Sequence, residues 1–335
     1  MVSAPGRADL AIDLVQAVGR TPLGSTTTVA VRSAADVEFI DRWCIANRCT
    51  PIAVHDGAVE IYRGSRADSV SSLPAERMPG YRLWIYTNFH CNLRCAYCCA
   101  ESSPRADPRS LDAATVAVLA DQAVALGTKE IYLTGGEPFL NEDIADIAGH
   151  CARVAPTVLL TNGMLFAGSR RRLLDAIPRR NVMLQISVDS PTPEIHDSQR
   201  GAGSWAKAIE GARLARGLGF RLRLAATIAA GSAAQEAELR ELCHELDIGD
   251  DDMVIRRVAA EGFATEGLVV TRESVLPEVC VTAQGVYWHP VAVANPSMRV
   301  SDSILPLAVA VTAIRAEFLE YRRRGDVLAS SFPCA

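Results

Sequence analysis

The strongest constraint on folding lies between residues 81 and 262, where short apolar runs and helix-period stretches follow one another in strict alternation. Candidate strands fall at 83–86, 130–134, 157–160, 183–188, 221–227 and 253–258. The stretches between them repeat apolar residues at helical spacing. Val116, Leu119, Ala120 and Ala123 share one helix face, with Ser110 read as the cap before it and Gly127 as the stop after it. Trp205, Ala208, Ile209 and Ala212 do the same between Ser204, read as a cap, and Gly219. Such alternation builds right-handed βαβ units and hence a parallel sheet, open or curled into a barrel. The fold class is therefore α/β, and its chemistry is expected at the carboxyl ends of the strands.

The flanks read differently. Residues 1–65 suggest a small α+β unit: helix at 10–19, strand at 26–31, helix at 34–46, and strands at 52–55 and 59–62 around an Asp56-Gly57 turn. Residues 66–80 read as a linker, and 263–335 as a C-terminal extension expected to cover the barrel mouth. Within that extension Tyr287, Trp288 and His289 are candidate substrate contacts, with an aromatic core patch as the alternative. The chain has 335 residues, 49% of them hydrophobic and 22% charged, a folded rather than a disordered profile. A net charge of −5 without a dense basic block argues against a nucleic-acid partner. The apolar stretch 304–314 is too short to cross a bilayer, and the first nine residues lack a secretion signal, so a cytoplasmic protein with no membrane partner is expected. In that reducing setting ten cysteines point to metal binding more readily than to a disulfide framework.

The cysteines concentrate in one loop after the first strand of the alternating region: His90-Cys91-Asn92-Leu93-Arg94-Cys95-Ala96-Tyr97-Cys98-Cys99. Three thiolates spaced four and then three residues apart can wrap a cube of iron and sulfide and leave one iron open. A zinc site completed by His90, or buried structural thiols, would use the same residues. Cys99 directly follows Cys98, so its side chain diverges from that of its neighbour, and it is read as structural.

Successive strand ends carry further motifs. Gly135-Gly136-Glu137-Pro138 closes the second strand, Thr161-Asn162-Gly163 the third, and Ser187-Val188-Asp189 the fourth, with Arg200-Gly201 following. Taken singly they could be a turn, an Asn-Gly turn, a polar strand end and a solvated loop arginine. In this order, behind CxxxCxxC, they resemble the radical S-adenosylmethionine (SAM) superfamily over residues 81–262. The resemblance implies a partial (β/α)6 barrel with one [4Fe–4S] cluster on Cys91, Cys95 and Cys98 and S-adenosylmethionine on its open iron. It also implies that Gly135, Gly136 and Glu137 hold the methionine amine, that Asn162 lies close by, and that Ser187 and Asp189 meet the ribose. Arg200 would meet the methionine carboxylate, and Tyr97 would sit near the adenine.

The implied activity is reductive cleavage of S-adenosylmethionine to a 5′-deoxyadenosyl radical that abstracts hydrogen from a small-molecule substrate. Its electron would come from a donor such as flavodoxin or ferredoxin. Maturation of a ribosomally made peptide, and a non-catalytic iron–sulfur or sulfur-trafficking role, are the alternatives. The N-terminal unit resembles TusA-like sulfur carriers in its element order and in residues 21–31, but lacks their Cys-Pro. It is therefore expected to bind a partner or the substrate; Cys44 and Cys49 are thiols that could replace the missing one, though Cys44 lies in an apolar helical pattern and reads as core. Cys280 and Cys334 are too isolated in the tail to suggest a second cluster.

Overall fold

A computed structural model of the chain describes residues 7–22, 24–47, 49–55, 57–64, 75–167, 170–228 and 233–324. Asp56 of the anticipated turn, residues 66–74 of the linker and Cys334 lie outside these described residues. The N-terminal unit consists of α1 (Arg7–Arg20), β1 (Thr26–Ala30), α2 (Ala34–Ala46), β2 (Thr50–His55) and β3 (Ala58–Tyr62). Its three strands are antiparallel in the order β1-β3-β2. Leu14, Val18, Ile40, Val59 and Ile61 fill a core of its own. Ser33 caps α2, its hydroxyl accepting the Asp36 amide at 3.2 Å. Cys44 and Cys49 are both buried, and burial pushes the Cys44 thiol far up, which leaves it inert as a nucleophile.

The alternating region forms β4 (Arg82–Tyr86), α3 (Ala113–Ala125), β5 (Glu130–Thr134), α4 (Ile144–Val154), β6 (Thr157–Thr161), α5 (Arg171–Ala176), β7 (Val182–Ser187), α6 (Pro193–Arg200), α7 (Ser204–Gly217), β8 (Arg221–Ile228), α8 (Ala233–Glu245) and β9 (Met253–Arg257). Strands β4 to β9 pair in sequence order, every pair parallel, with the helices as the crossover connections that parallel pairing requires. The anticipated face of α3 is buried through Val116, Leu119, Ala120 and Ala123.

Three local readings need correction. Asp112 caps α3, accepting the Thr115 amide at 2.7 Å, while Ser110 bridges to Asn88. Ser204 is the first residue of α7 rather than its cap. The capping oxygens come from Asp197, which accepts the Trp205 amide at 2.8 Å and the Ser204 hydroxyl at 3.1 Å. The segment holding His196 and Arg200 is helix α6, not a loop: Pro193 presets its first turn and Gly201, at φ 124°, stops it.

The C-terminal extension contributes β10 (Val279–Thr282), β11 (Gly285–Tyr287), β12 (Arg299–Ser301) and α9 (Leu307–Arg324). Strand β10 pairs parallel with β4, and β11 and β12 follow antiparallel, so the extension widens the sheet beyond β4. Of its described residues only Pro290 and Val291 reach the cleft at the strand ends. Trp288 is fully buried edge-on to Tyr321, and Tyr287 is buried beside it. The His289 Nδ1 accepts the Val291 amide at 3.2 Å. These three side chains are packing, not cleft lining. On the far side the chain after β9 closes back on the cysteine loop. The Phe263 amide donates to Cys98 O at 3.0 Å, and the Arg94 guanidinium lies 4.1 Å from the Phe263 ring centre. Gly262 (φ 61°) allows that approach, since a Cβ there would lie 2.3 Å from Cys98 O.

Candidate active site

The carboxyl ends of β4 to β9 surround a cleft of about 210 Å³, and Cys91, Cys95 and Cys98 all line it. Backbone amides already address two of the sulfurs: Leu93 N–H donates to Cys91 Sγ at 3.4 Å and Ser102 N–H to Cys98 Sγ at 3.4 Å. The Ala96 amide donates to Gln199 O at 2.8 Å and ties the loop to the end of α6. Burial and then the neighbouring Glu137 push the Cys91 thiol far up. Burial also raises Cys95, against the opposing pull of Arg200. Without metal these thiols keep their protons, and ligation must displace them.

The donor set fits an iron–sulfur cube. Three sulfurs border one cavity, and the Ser102 hydroxyl, on a residue 3% exposed beside them, has no partner among the described residues. Also among the described residues, no three His, Cys, Asp or Glu side chains converge as a single zinc ion would require. Cys99 borders the same cleft as the fourth thiol.

The two glycines after β5 are required by the cysteine loop itself. A Cβ on Gly135 would lie 2.3 Å from Asn88 Oδ1, and one on Gly136 would lie 2.3 Å from His90 O. The loop is locked onto this turn by Gly136 N–H to Asn88 O at 3.0 Å and Glu137 N–H to His90 O at 2.9 Å. Glu137 is fully buried and does not line the cleft. Its carboxylate accepts the Phe139 amide at 3.1 Å, the Thr161 hydroxyl at 2.8 Å and the Asn162 amide at 2.9 Å. Burial raises it to about 7 against the pull of those three bonds. The side chain thus fastens the end of β5 to the end of β6, while Gly135 and Gly136 face the cavity. Asn162 lines the cleft and donates from Nδ2 to Asn92 Oδ1 at 2.8 Å, joining β6 to the cysteine loop.

Ser187 borders the cleft, whereas Asp189, 1% exposed, is enclosed. One Asp189 oxygen accepts Arg200 Nη2–H at 3.0 Å and the Thr227 amide at 2.9 Å. The other accepts Arg200 Nε–H at 2.7 Å and the Tyr97 hydroxyl. Both oxygens are saturated, so the ribose contact implied for Asp189 is replaced by a bidentate ion pair. Burial alone would raise the Asp189 carboxyl, but Arg200 outweighs it and the net shift is downward. Arg200 lines the cleft beside Tyr97, its charge committed to Asp189 rather than offered alone to an incoming carboxylate. His196 accepts the Asp189 amide at Nδ1, 3.2 Å away, and burial lowers it to about 4, so it is a neutral support for this turn.

The sequence reading did not single out Thr227, Arg256 or Arg257, which line the cleft from β8 and β9. Two adjacent arginines closing an apolar strand were the visible signal.

Residues 85–246 match the Radical SAM superfamily. These residues form a radical SAM domain. The match begins in β4 and ends just beyond α8, taking in the cysteine loop and every strand-end motif described above. Over 141 residues the chain is 35% identical to GTP 3′,8-cyclase 3 of Mycobacterium bovis, covering 39% of this chain and 36% of that protein. Over 145 residues it is 32% identical to the antilisterial bacteriocin subtilosin biosynthesis protein AlbA of Bacillus subtilis, covering 41% of this chain and 31% of AlbA. These alignments span only about a third of either relative. The structure of anSMEcpe with bound S-adenosylmethionine and Cp18Cys peptide superposes with a TM-score of 0.51 at 14% identity, over 71% of this chain and 81% of that one. That likeness establishes the radical SAM fold. Radical SAM proteins use a [4Fe–4S] cluster and S-adenosylmethionine. No helix among the described residues is long and apolar enough to cross a membrane.

Proposed function

We propose that this radical SAM protein cleaves S-adenosylmethionine reductively and directs the resulting radical at a substrate held in the same cleft. The observation that carries the reading is the meeting of Cys91, Cys95 and Cys98 with Gly135, Gly136, Asn162, Ser187 and Arg200 around one cavity. When bound, the cluster and S-adenosylmethionine supply an electron and a 5′-deoxyadenosyl radical able to take hydrogen from carbon. The chain's own residues hold and orient. Cys91, Cys95 and Cys98 would each hold one iron, and the Leu93 and Ser102 amides would stabilise charge on Cys91 and Cys98. The Gly135-Gly136 backbone admits the methionine end without steric conflict, Ser187 offers a hydroxyl to the nucleoside, and Tyr97, fixed by its bond to Asp189, supplies an aromatic wall. Trp84, Tyr86 and Pro290 present apolar surface that keeps water from the reacting carbon.

An electron donor such as flavodoxin or ferredoxin would serve the cluster, in the reducing cytoplasm that free thiols favour. Residues 1–65 would act as the TusA-like unit that grips partner or substrate, residues 66–80 as linker, 81–262 as catalytic barrel and 263–335 as its extension. A peptide substrate is the competing reading, favoured by the similarity to AlbA.

The test is anaerobic reconstitution with iron and sulfide, then dithionite and S-adenosylmethionine. Wild-type protein should bind about four irons per chain and release 5′-deoxyadenosine, and Cys95→Ala should do neither. Nucleoside release undiminished in Cys95→Ala would refute the assignment.

A further inference from the structure

The segment between the cysteine loop and α3 turns back onto the loop and is fixed there by backbone bonds. Glu101 adopts the left-handed backbone at φ 53°, uncommon for a residue with a side chain. Just past that turn the Ser102 amide donates to Cys98 Sγ at 3.4 Å. The following residue is tied to the start of the loop: Ser103 O accepts the Cys91 amide at 3.2 Å, and Ser103 bridges to His90. Ser102 is therefore held between two of the ligand cysteines by main-chain bonds, and its own side chain plays no part in placing it.

That side chain has nothing to bond. Ser102 is 3% exposed, and its hydroxyl neither donates nor accepts among the described residues. A buried hydroxyl without a partner destabilises the fold, so alanine would serve better here if packing were its whole role. Ser103 differs, since its hydroxyl accepts the Arg105 amide at 3.3 Å. Ser102 lines the cleft that Cys91, Cys95 and Cys98 share. Cluster sulfurs carry negative charge and no proton, so they accept hydrogen bonds and never donate them. A hydroxyl bond to one of them is charge-assisted. The motifs resembling S-adenosylmethionine contacts lie at the ends of β5, β6 and β7, not on this segment.

We propose that the Ser102 hydroxyl donates to a sulfur of the bound cluster and raises its reduction potential. The inference rests on the cluster read onto Cys91, Cys95 and Cys98, and it adds how this chain tunes that cluster. Reduction puts one more negative charge on the cube. A donor aimed at its sulfurs therefore stabilises the reduced form more than the oxidised one. The Leu93 and Ser102 amides act in the same sense at Cys91 and Cys98. The hydroxyl is a third donor, and one that a substitution removes without touching the backbone.

The experiment is a redox titration of the reconstituted full chain, first without S-adenosylmethionine and then with it, read from the paramagnetic signal of the reduced cluster. Ser102→Ala should keep the iron content of wild type. Its ratio of reduced to oxidised cluster at the wild-type midpoint should fall roughly threefold or more, a shift of about 28 mV to lower potential at ~59 mV per tenfold. Ser102→Thr, which keeps the hydroxyl, should recover most of that shift, and Ser103→Ala should show none. An unchanged midpoint in Ser102→Ala overturns the proposal. A Ser102→Thr midpoint as low as that of Ser102→Ala does so too, because lost packing and not the lost donor would then be responsible. Loss of iron from Ser102→Ala also overturns it, since the hydroxyl would then hold the cluster or its loop. A shift seen only once S-adenosylmethionine is added overturns it by making the hydroxyl a contact of that molecule. Failure of the proposed cleavage is seen separately, as absent iron or absent 5′-deoxyadenosine in the wild-type preparation.

Discussion

Replacing Asp189 with alanine isolates the ion pair that organises one side of the cleft. The change removes two bonds from Arg200, one from the Thr227 amide and one from the Tyr97 hydroxyl. Arg200 is only 9% exposed, so its charge stays buried without a counterion. Breaking one side of such a pair costs about 3–5 kcal/mol. The orphaned Thr227 and Tyr97 donors would each add ~1–3 kcal/mol if water could not reach them. The adjoining cleft admits water, so a total of ~4 kcal/mol is expected for Asp189→Ala. At ~2–4 °C per kcal/mol for a domain of this size, the midpoint should fall by ~8–16 °C. Arg200→Met alone should cost about 3 kcal/mol by stranding the carboxylate. The double variant should cost ~4–5 kcal/mol rather than the additive ~7, giving a coupling energy of ~2–3 kcal/mol. Anaerobic urea unfolding followed by tryptophan fluorescence measures all four proteins. A cost below about 1 kcal/mol for Asp189→Ala, or additive single-variant costs, would contradict the claim that a buried charge pair holds this turn.

Gly136→Ala should leave the circular dichroism intact but cut iron incorporation several-fold, because its Cβ would meet His90 O at 2.3 Å and Phe89 O at 2.5 Å, both backbone atoms of the cysteine loop. Gly217→Ala, where a Cβ meets nothing within 4 Å, is the control and should retain full iron. His196 makes stability depend on pH. It is lowered to about 4 in the folded chain, against roughly 6.5 unfolded. Its contribution is therefore complete above the unfolded value and is lost as pH falls through the folded one. Between pH 7.5 and 5 this amounts to ~2 kcal/mol. His196→Gln should flatten the acid slope of urea stability by about that amount, and a slope equal to wild type would show that His196 is not held neutral.

The parts legible in the sequence were those whose chemistry is local. All six strands of the alternating region and the elements of the N-terminal unit follow from apolar period and turn residues; each appears in the structure within about two residues, except that the first helix begins at Arg7 rather than at residue 10. Helix caps were less legible. Ser110 and Ser204 carry suitable hydroxyls, but Asp112 and Asp197 reach the amides, a choice set by backbone direction rather than residue type. The β10 to β12 strands read as a separate cover because nothing in residues 279–301 announces a parallel partner nearly 200 residues earlier.

The sequence by itself determined a parallel α/β sheet, the spacing of three cysteines and the order of motifs along successive strand ends. These depend on neighbours a few residues apart, where sterics and helical or pleated periodicity act directly. Tertiary structure alone decided which polar groups are spent on one another and which face the cavity. Glu137 reaches Asn162 across 25 residues, and Tyr97 reaches Asp189 across 92. Both carboxylates look like ligand contacts when read as motifs, yet in a buried site an unsatisfied oxygen is costly, and the donors that curling brings alongside claim it first. Arg256 shows the converse. It reads as the polar end of a strand until the register of β7, β8 and β9 brings it to the cleft.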